Sequence, residues 1–242
     1  MRLSVFFLLI YIFVLSACTN VQKHTENTEI INESNQNSMA SMNFDETDTY
    51  MIYFTIGSRL KSLSNISGIN EPVIIVNNKA ITRKDIEIER IYIDYLDSIT
   101  LKDRIELLIK NTVLTIEANN LGIEPSQENI MAYMENIKKA MNYDDGQISG
   151  YMDGMGITEE EHIASNENIA YNMYQREALW QKVKQPLENK IVKEAKKRNV
   201  SLTEVEQEYY EKYVDDLVEN ADIKFLDNEI KKLLYDEVSN SN

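Results

Sequence analysis

Residues 72–86 read PVIIVNNKAITRKDI and fit three elements into one short stretch. Val73, Ile74, Ile75 and Val76 form a β-branched run, which fits a pleated, half-buried strand better than a helix. Asn77-Asn78 is a turn pair tolerant of positive φ, and Lys79-Ala80-Ile81 makes a short return, so the stretch predicts a small hairpin. Thr82-Arg83-Lys84-Asp85 then reads as a helix start. The Thr82 hydroxyl can accept from the amide three residues on, and the Asp85 carboxylate sits near the positive helix end.

Downstream of the hairpin the apolar residues change to helical spacing. A helix from Thr82 to about Ser98 carries Ile86, Ile88, Ile91, Tyr92, Ile93, Tyr95 and Leu96, apolar over more than one stripe, so it needs two partners. Leu101 to Leu121 forms the next helix, ended by Gly122, and Ser126 caps another that runs to about Asn142. Residues 143–157 hold four of the seven glycines and read as a loop with at most a helical turn. Thr158 with Glu161 is a capping box that launches a long helix toward Arg198, which Pro186 should kink or divide because it removes a donor and clashes with the preceding turn. A last long helix, Thr203 to Asn220, is followed by a strand-like Ile223 to Leu226 and an amphipathic tail to Val238. Upstream, Tyr50 to Gly57 is apolar and suits either a strand or a short helix.

Composition agrees with a mainly α protein. Gly (7) and Pro (3) are scarce, which argues against turn-rich sandwiches and barrels. The formal net charge is −15, and a chain so acidic overall is poorly suited to nucleic acid or an anionic bilayer surface. Its attachment to any membrane is therefore expected to come from elsewhere. Val5 to Leu15 is an unbroken apolar run behind the positive Arg2, too short to span a bilayer, and it ends in Leu15-Ser16-Ala17-Cys18. That ending resembles the bacterial lipobox, in which the Cys sulfur takes a diacylglyceryl group and the peptide is cut just before it. Cys18, the single cysteine, is then a lipid anchor on the extracytoplasmic face of the cell membrane. Acyl chains would hold it at about 0.8 kcal/mol per buried CH₂. Residues 1–17 become the lipoprotein signal peptide, residues 18–47 the lipidated Cys and a polar tether, and residues 48–242 the folded domain. Loss of Arg2 with the leader takes the net charge from −15 to −16. No disulfide is then possible.

The order of these elements resembles the N-terminal chaperone domain of the SurA/PrsA family of exported folding factors. The resemblance is carried by Val76 to Ile86, by Leu108-Ile109 through Glu117-Ala118 and Gly122-Ile123, by Pro125-Ser126, by Met155 to Glu160, and by Ser201 to Tyr210. Asn78 stands where the family usually has Gly, a replacement that Asn tolerates best among non-glycines. The resemblance implies a helical domain whose chain returns at the end, with Ile223 and Phe225 completing a short sheet on the hairpin of Val73, Ile75 and Ile81. No stretch after Tyr213 is long enough for the parvulin isomerase domain of many relatives, so it implies the chaperone module alone.

A search for chemistry finds little. Glu159 and His162 have the spacing of two metal ligands on one helix face, but the other histidine, His24, lies in the tether. His162 is expected as a solvated helix residue. Asp144-Asp145-Gly146 and Asp153-Gly154 lack the alternating ligands of a calcium loop and are expected to serve turns. With no nucleophile elbow, phosphate loop or dinucleotide fingerprint, the chain is expected to be no enzyme and to need no cofactor or metal. What stands out is aromatic and thioether: Tyr171, Met173, Tyr174, Trp180, Tyr209, Tyr210 and Tyr213 either line a cradle for apolar client segments or form core. The leading expectation is a membrane-anchored extracytoplasmic chaperone for unfolded or exported polypeptides, without isomerase activity. Its rival is a structural lipoprotein that binds one specific envelope partner.

Overall fold

The computed structural model describes residues 46–96 and 99–235. Cys18, the leader, the tether as far as Asp45 and the last seven residues lie outside them. The chain runs α1 (Glu46–Leu63), β1 (Pro72–Val76), β2 (Lys79–Thr82), α2 (Arg83–Leu96), α3 (Leu101–Asn120), α4 (Gln127–Met141), α5 (Gln147–Met155), α6 (Glu159–Lys184), a 3-10 turn (Gln185–Leu187), α7 (Glu188–Arg198), α8 (Leu202–Glu219), β3 (Ile223–Phe225) and α9 (Asn228–Tyr235). It is mainly helical with one small antiparallel sheet, ordered β2-β1-β3.

The hairpin forms as its residues dictate. Asn77 and Asn78 take φ of 46° and 69°, the pair of positive values that a two-residue turn needs to match the strand twist. The same turn receives the end of the chain: Asn77 N–H donates to the Asp222 carbonyl at 2.9 Å, and Asp222 N–H donates to Asn77 Oδ1 at 2.7 Å. From there β3 runs along β1, with Val76 opposite Ile223, Ile75 opposite Lys224 and Ile74 opposite Phe225. The returning strand therefore pairs where expected, on the hairpin's first strand. Arg83 locks the closure from the other side through Asp227, 2.8 Å away.

α3 is the axis of the body. One side, Ile105, Ile109 and Val113, is buried with Val73, Ile74, Val76 and Ile81 of the sheet and with Ile230 and Leu234 of α9. Its other side, Leu114 and Ala118, is buried with Leu179 of α6 and Val214 of α8. The helix starts in a capping box of Thr100 and Asp103, and Gly122, at φ 60°, stops it. α2 finds its two partners as its wide apolar surface requires: Ile86 joins the sheet cluster, while Ile91, Ile88, Tyr92 and Leu96 pack on Tyr53, Ile56 and Leu63 of α1. At the start of α2, Thr82 N–H donates to Asp85 Oδ2 at 2.7 Å and Asp85 N–H donates to Thr82 Oγ1 at 3.3 Å.

Of the two types left open for Tyr50 to Gly57, the structure shows a helix, the middle of α1. One expectation is corrected. The glycine-rich stretch 143–157 is not a loop but contains α5; Gly150 and Gly154 serve packing, while Gly146 and Gly156, at φ 96° and 65°, bound the helix. A Cβ added at Gly154 would stand 2.1 Å from the Phe54 carbonyl oxygen; at Gly150 it would stand 2.4 Å from that of Tyr50. The backbones of α1 and α5 touch, which only hydrogen side chains permit. The Tyr50 hydroxyl donates to Asp153 at 2.7 Å across the same seam. Asp144 starts α5 by accepting from the amides of Ile148 and Ser149, both at 2.8 Å, the turn role expected of it. Pro186 sits in the 3-10 turn that divides α6 from α7, as its missing donor requires. No described helix is long and apolar enough to cross a membrane.

Candidate functional site

Of the seven aromatic and thioether candidates, four (Met173, Trp180, Tyr210 and Tyr213) sit on or beside one three-helix junction, where α3, α6 and α8 meet. On α6, Met173, Arg176, Glu177 and Trp180 follow the i, i+3, i+4, i+7 spacing and share one face. On α8, Tyr210, Tyr213 and Val214 do the same, and on α3, Leu107, Lys110, Asn111 and Leu114. Between them lies an open cleft of about 150 Å³. Leu107, Leu114, Met173, Tyr210 and Val214 give it an apolar lining, and Lys110, Arg176, Glu177 and Glu211 give it both signs of charge.

Trp180 is the foundation of this junction and not part of its surface. It is 1% exposed, its ring meets Tyr210 edge-on at 5.2 Å and lies tilted against Tyr213 at 6.2 Å. Its Nε1–H donates to Glu206 Oε1 at 3.1 Å, and the same oxygen accepts from the buried Lys184 ammonium at 2.7 Å. Of the two readings open for it, Trp180 takes core and not cradle: the indole fills the gap between α6 and α8 and props Tyr210 at the cleft wall. Burial pushes the Tyr210 phenol up against a downward pull from Arg176. Tyr213 is pushed up to about 12 by burial and then by Glu117 and Tyr210. Both rings stay protonated near neutral pH. Burial also raises the Glu177 carboxyl, against the nearby Lys184. The cleft thus offers apolar area, the phenol of Tyr210 and a rim of mixed charge, which can seat a side chain.

The remaining candidates lie elsewhere. Tyr171 donates to Glu124 at 2.8 Å, and Tyr174 meets Tyr133 of α4 edge-on at 6.4 Å, so both serve the junction of α6 with α4 and the loop before it. Tyr209 faces the other way, over Ile191, Ala195 and Val205, and its hydroxyl donates to Glu194 at 3.0 Å. One continuous cradle of all seven is therefore not formed. His162 is not solvated either: it is half-buried on α6, edge-on to Tyr151 of α5 at 5.8 Å, and burial lowers its imidazole. No group of three or more His, Cys, Asp or Glu among the described residues is placed to hold a metal ion.

Sequence reasoning missed Leu107, Leu114 and Val214. Each lies on a regular helical stripe, which is the signal of a buried face. Only the convergence of three helices leaves part of that face open. Compared with protein-family models, curated proteins and solved structures, the chain matches none.

Proposed function

We propose that this chain is a membrane-anchored extracytoplasmic folding helper of the SurA/PrsA type, held by lipid on Cys18, which grips apolar segments of unfolded or exported polypeptides and has no prolyl isomerase activity. The observation that supports it most is the open apolar cleft between α3, α6 and α8, walled by Met173 and Tyr210 on a rigid indole support. Met adapts to varied side chains and Tyr adds area at low entropy cost, the pairing that promiscuous grips use. A client side chain of Leu size buried there is worth about 1.5–3 kcal/mol. That is weak, as a reversible holder requires. The return of β3 onto the hairpin, about 150 residues earlier in the chain, also suits the family reading.

The cleft's modest size favours a second reading, a structural lipoprotein that seats one side chain of a single envelope partner. One experiment separates the two. A photo-crosslinking residue placed at Leu107, 39% exposed at the cleft edge, is activated in cells and its products are read by mass spectrometry. Many exported polypeptides support the folding-helper reading, and one dominant adduct supports the specific partner. In parallel, the purified protein should slow aggregation of an unfolded test protein at several-fold molar excess. A protein that leaves aggregation untouched and gives one adduct would overturn the first reading.

A further inference from the structure

Residues 190–198 read KIVKEAKKR and hold five of the 25 Lys and Arg residues of a chain whose net charge is −15. This is its densest run of cations, and it forms most of α7. Ile191 and Ala195 are buried with Val205 of α8 and fix which way the helix faces. At 100° per residue, the opposite side carries Lys190, Lys193, Lys196 and Lys197 within a sector of about 120°. Asn189 lies between them and Val192, 37% exposed, at the edge. No acidic residue falls in that sector. Glu194 lies beside it with its carboxylate committed to Tyr209 and Arg198, and Glu188 lies on the far edge. Arg198 turns away to α8, where Glu208 holds it in a two-pronged pair, one contact at 2.6 Å. Lys190 stands 5.3 Å over the Tyr209 ring; Lys193, Lys196 and Lys197 are exposed and form no ion pair among the described residues.

We propose that this lysine face lies against an anionic phospholipid surface and so sets how the tethered body stands on the membrane, an inference that rests on the anchoring of Cys18. The net charge hides it. A Debye length of about 8 Å at physiological salt screens the acidic surface on the far side of the body, while the lysines meet the headgroups directly. The residue type fits a diffuse charged layer. Lysine acts as a hydrated point charge, whereas a dedicated phosphate site would use the fork of Arg, and the one Arg here is already paired. A lipid on Cys18 also leaves about 28 residues before α1, a reach of up to roughly 95 Å. The membrane is then always within range, so even weak contacts suffice to orient the body. An acidic polypeptide has no such advantage of proximity. Each lysine should contribute about a fivefold preference for the anionic surface.

The test uses the full lipidated protein on vesicles of phosphatidylcholine alone or with one third phosphatidylglycerol, labelled briefly with a water-soluble acetylating reagent and read by mass spectrometry. Lys193, Lys196 and Lys197 should react several-fold more slowly on the anionic vesicles, and about 0.5 M salt, which cuts the screening length to a few Å, should abolish the difference. In the triple variant Lys193→Gln, Lys196→Gln, Lys197→Gln, Lys190 should lose its protection while circular dichroism stays unchanged. Equal rates on the two vesicles would overturn the proposal, as would protection by polyglutamate without protection by vesicles, which would give the face to an acidic protein. Sedimentation with pure phosphatidylcholine vesicles reads the anchor separately. A protein that stays in solution there but is protected by excess anionic vesicles breaks the anchoring and keeps the lysine face, and one that is anchored but unprotected does the reverse.

Discussion

Two helix junctions in this protein are built in opposite ways. Where α1 crosses α5, glycines bring the backbones into contact, and the space between the helices is used up. Where α3, α6 and α8 meet, a tryptophan and two tyrosines hold the helices apart, and the junction ends in an open cleft. A backbone contact has no side chain that can turn aside, so it defines one geometry and accepts no addition. A contact through rings has rotamers to spare at its edge, so it can keep a firm base and an adaptable rim. The first kind of junction suits a fixed attachment of α1. The second suits recognition.

The sharpest way to break the ring junction is Trp180→Ala. Removing a fully buried indole leaves a cavity and also strips Glu206 of one of its two donors. Large-to-small changes of this kind cost about 3–5 kcal/mol, and the loss should appear in the melting of the whole body, since Tyr210 and Tyr213, which the indole touches, pack against the cluster of Leu114, Leu179 and Val214. A variant that melted like the wild type would mean that the rings are ornament and the cleft needs no base.

The glycine junction should fail differently with Gly154→Ala. The added methyl would stand at 2.1 Å from the Phe54 oxygen, a backbone atom, so α1 must move as a unit. Overpacking typically costs about 1–3 kcal/mol. Here the loss should be confined to α1: hydrogen exchange should accelerate over Glu46–Leu63 while α3, α6 and α8 keep their protection. Uniform loss across all helices would show that the two junctions are one cooperative unit.

This contrast also explains what the sequence made legible. The hairpin, the Thr82 and Thr158 caps and the break at Pro186 are local signals, in which nearby residues supply the donors, acceptors or periodicity; the pairing of Ile223 and Phe225 with the hairpin is long-range and is expected only from the family resemblance. The Thr100–Asp103 capping box is just as local and was passed over. α5 escaped because Gly146, Gly150, Gly154 and Gly156 spell a loop by themselves; Gly150 and Gly154 become helix residues only against Tyr50 and Phe54, about a hundred positions earlier. The cleft escaped for a similar reason. A stripe such as Met173, Arg176, Glu177, Trp180 says that a face is covered, and only the placement of α3 and α8 says where the cover ends.

At the cleft rim a substitution should separate function from stability. Leu107→Ser and Met173→Ser remove apolar area from an open wall, so each should cost less than about 1 kcal/mol, far below Trp180→Ala. Suppression of aggregation should nevertheless fall several-fold for each, and for Met173→Ser the crosslinking yield from position 107 should fall with it. Binding that survives both changes would move the site away from this junction.

The smallest effect concerns the place where the two junctions are joined, the packing of His162 on α6 against Tyr151 on α5. Nε2 lies 3.3 Å from the Asn166 amide and Nδ1 is buried with no hydrogen-bond partner among the described residues, so a charged imidazole gains nothing from its surroundings. Burial accordingly holds its pKa below the ordinary value. In the unfolded chain the ring takes up a proton near pH 6.5, while in the folded chain it does so only at lower pH. Below about pH 6.5 the unfolded state therefore binds more protons, and stability falls as the pH falls through that window. Partial exposure keeps the loss under about 1 kcal/mol. Tyr151, itself raised by burial, stays neutral throughout and contributes nothing to the slope. Burial also raises the Glu89 and Glu177 carboxyls, so the readout is a difference: between pH 7.5 and 5.5 the His162→Phe variant, which keeps the ring contact, should lose less in melting temperature than the wild type. The extra loss in the wild type should coincide with faster exchange in α5. Parallel curves for the two proteins would mean that the imidazole reaches water before it is charged, and that the seam between the fixed junction and the adaptable one does not respond to pH.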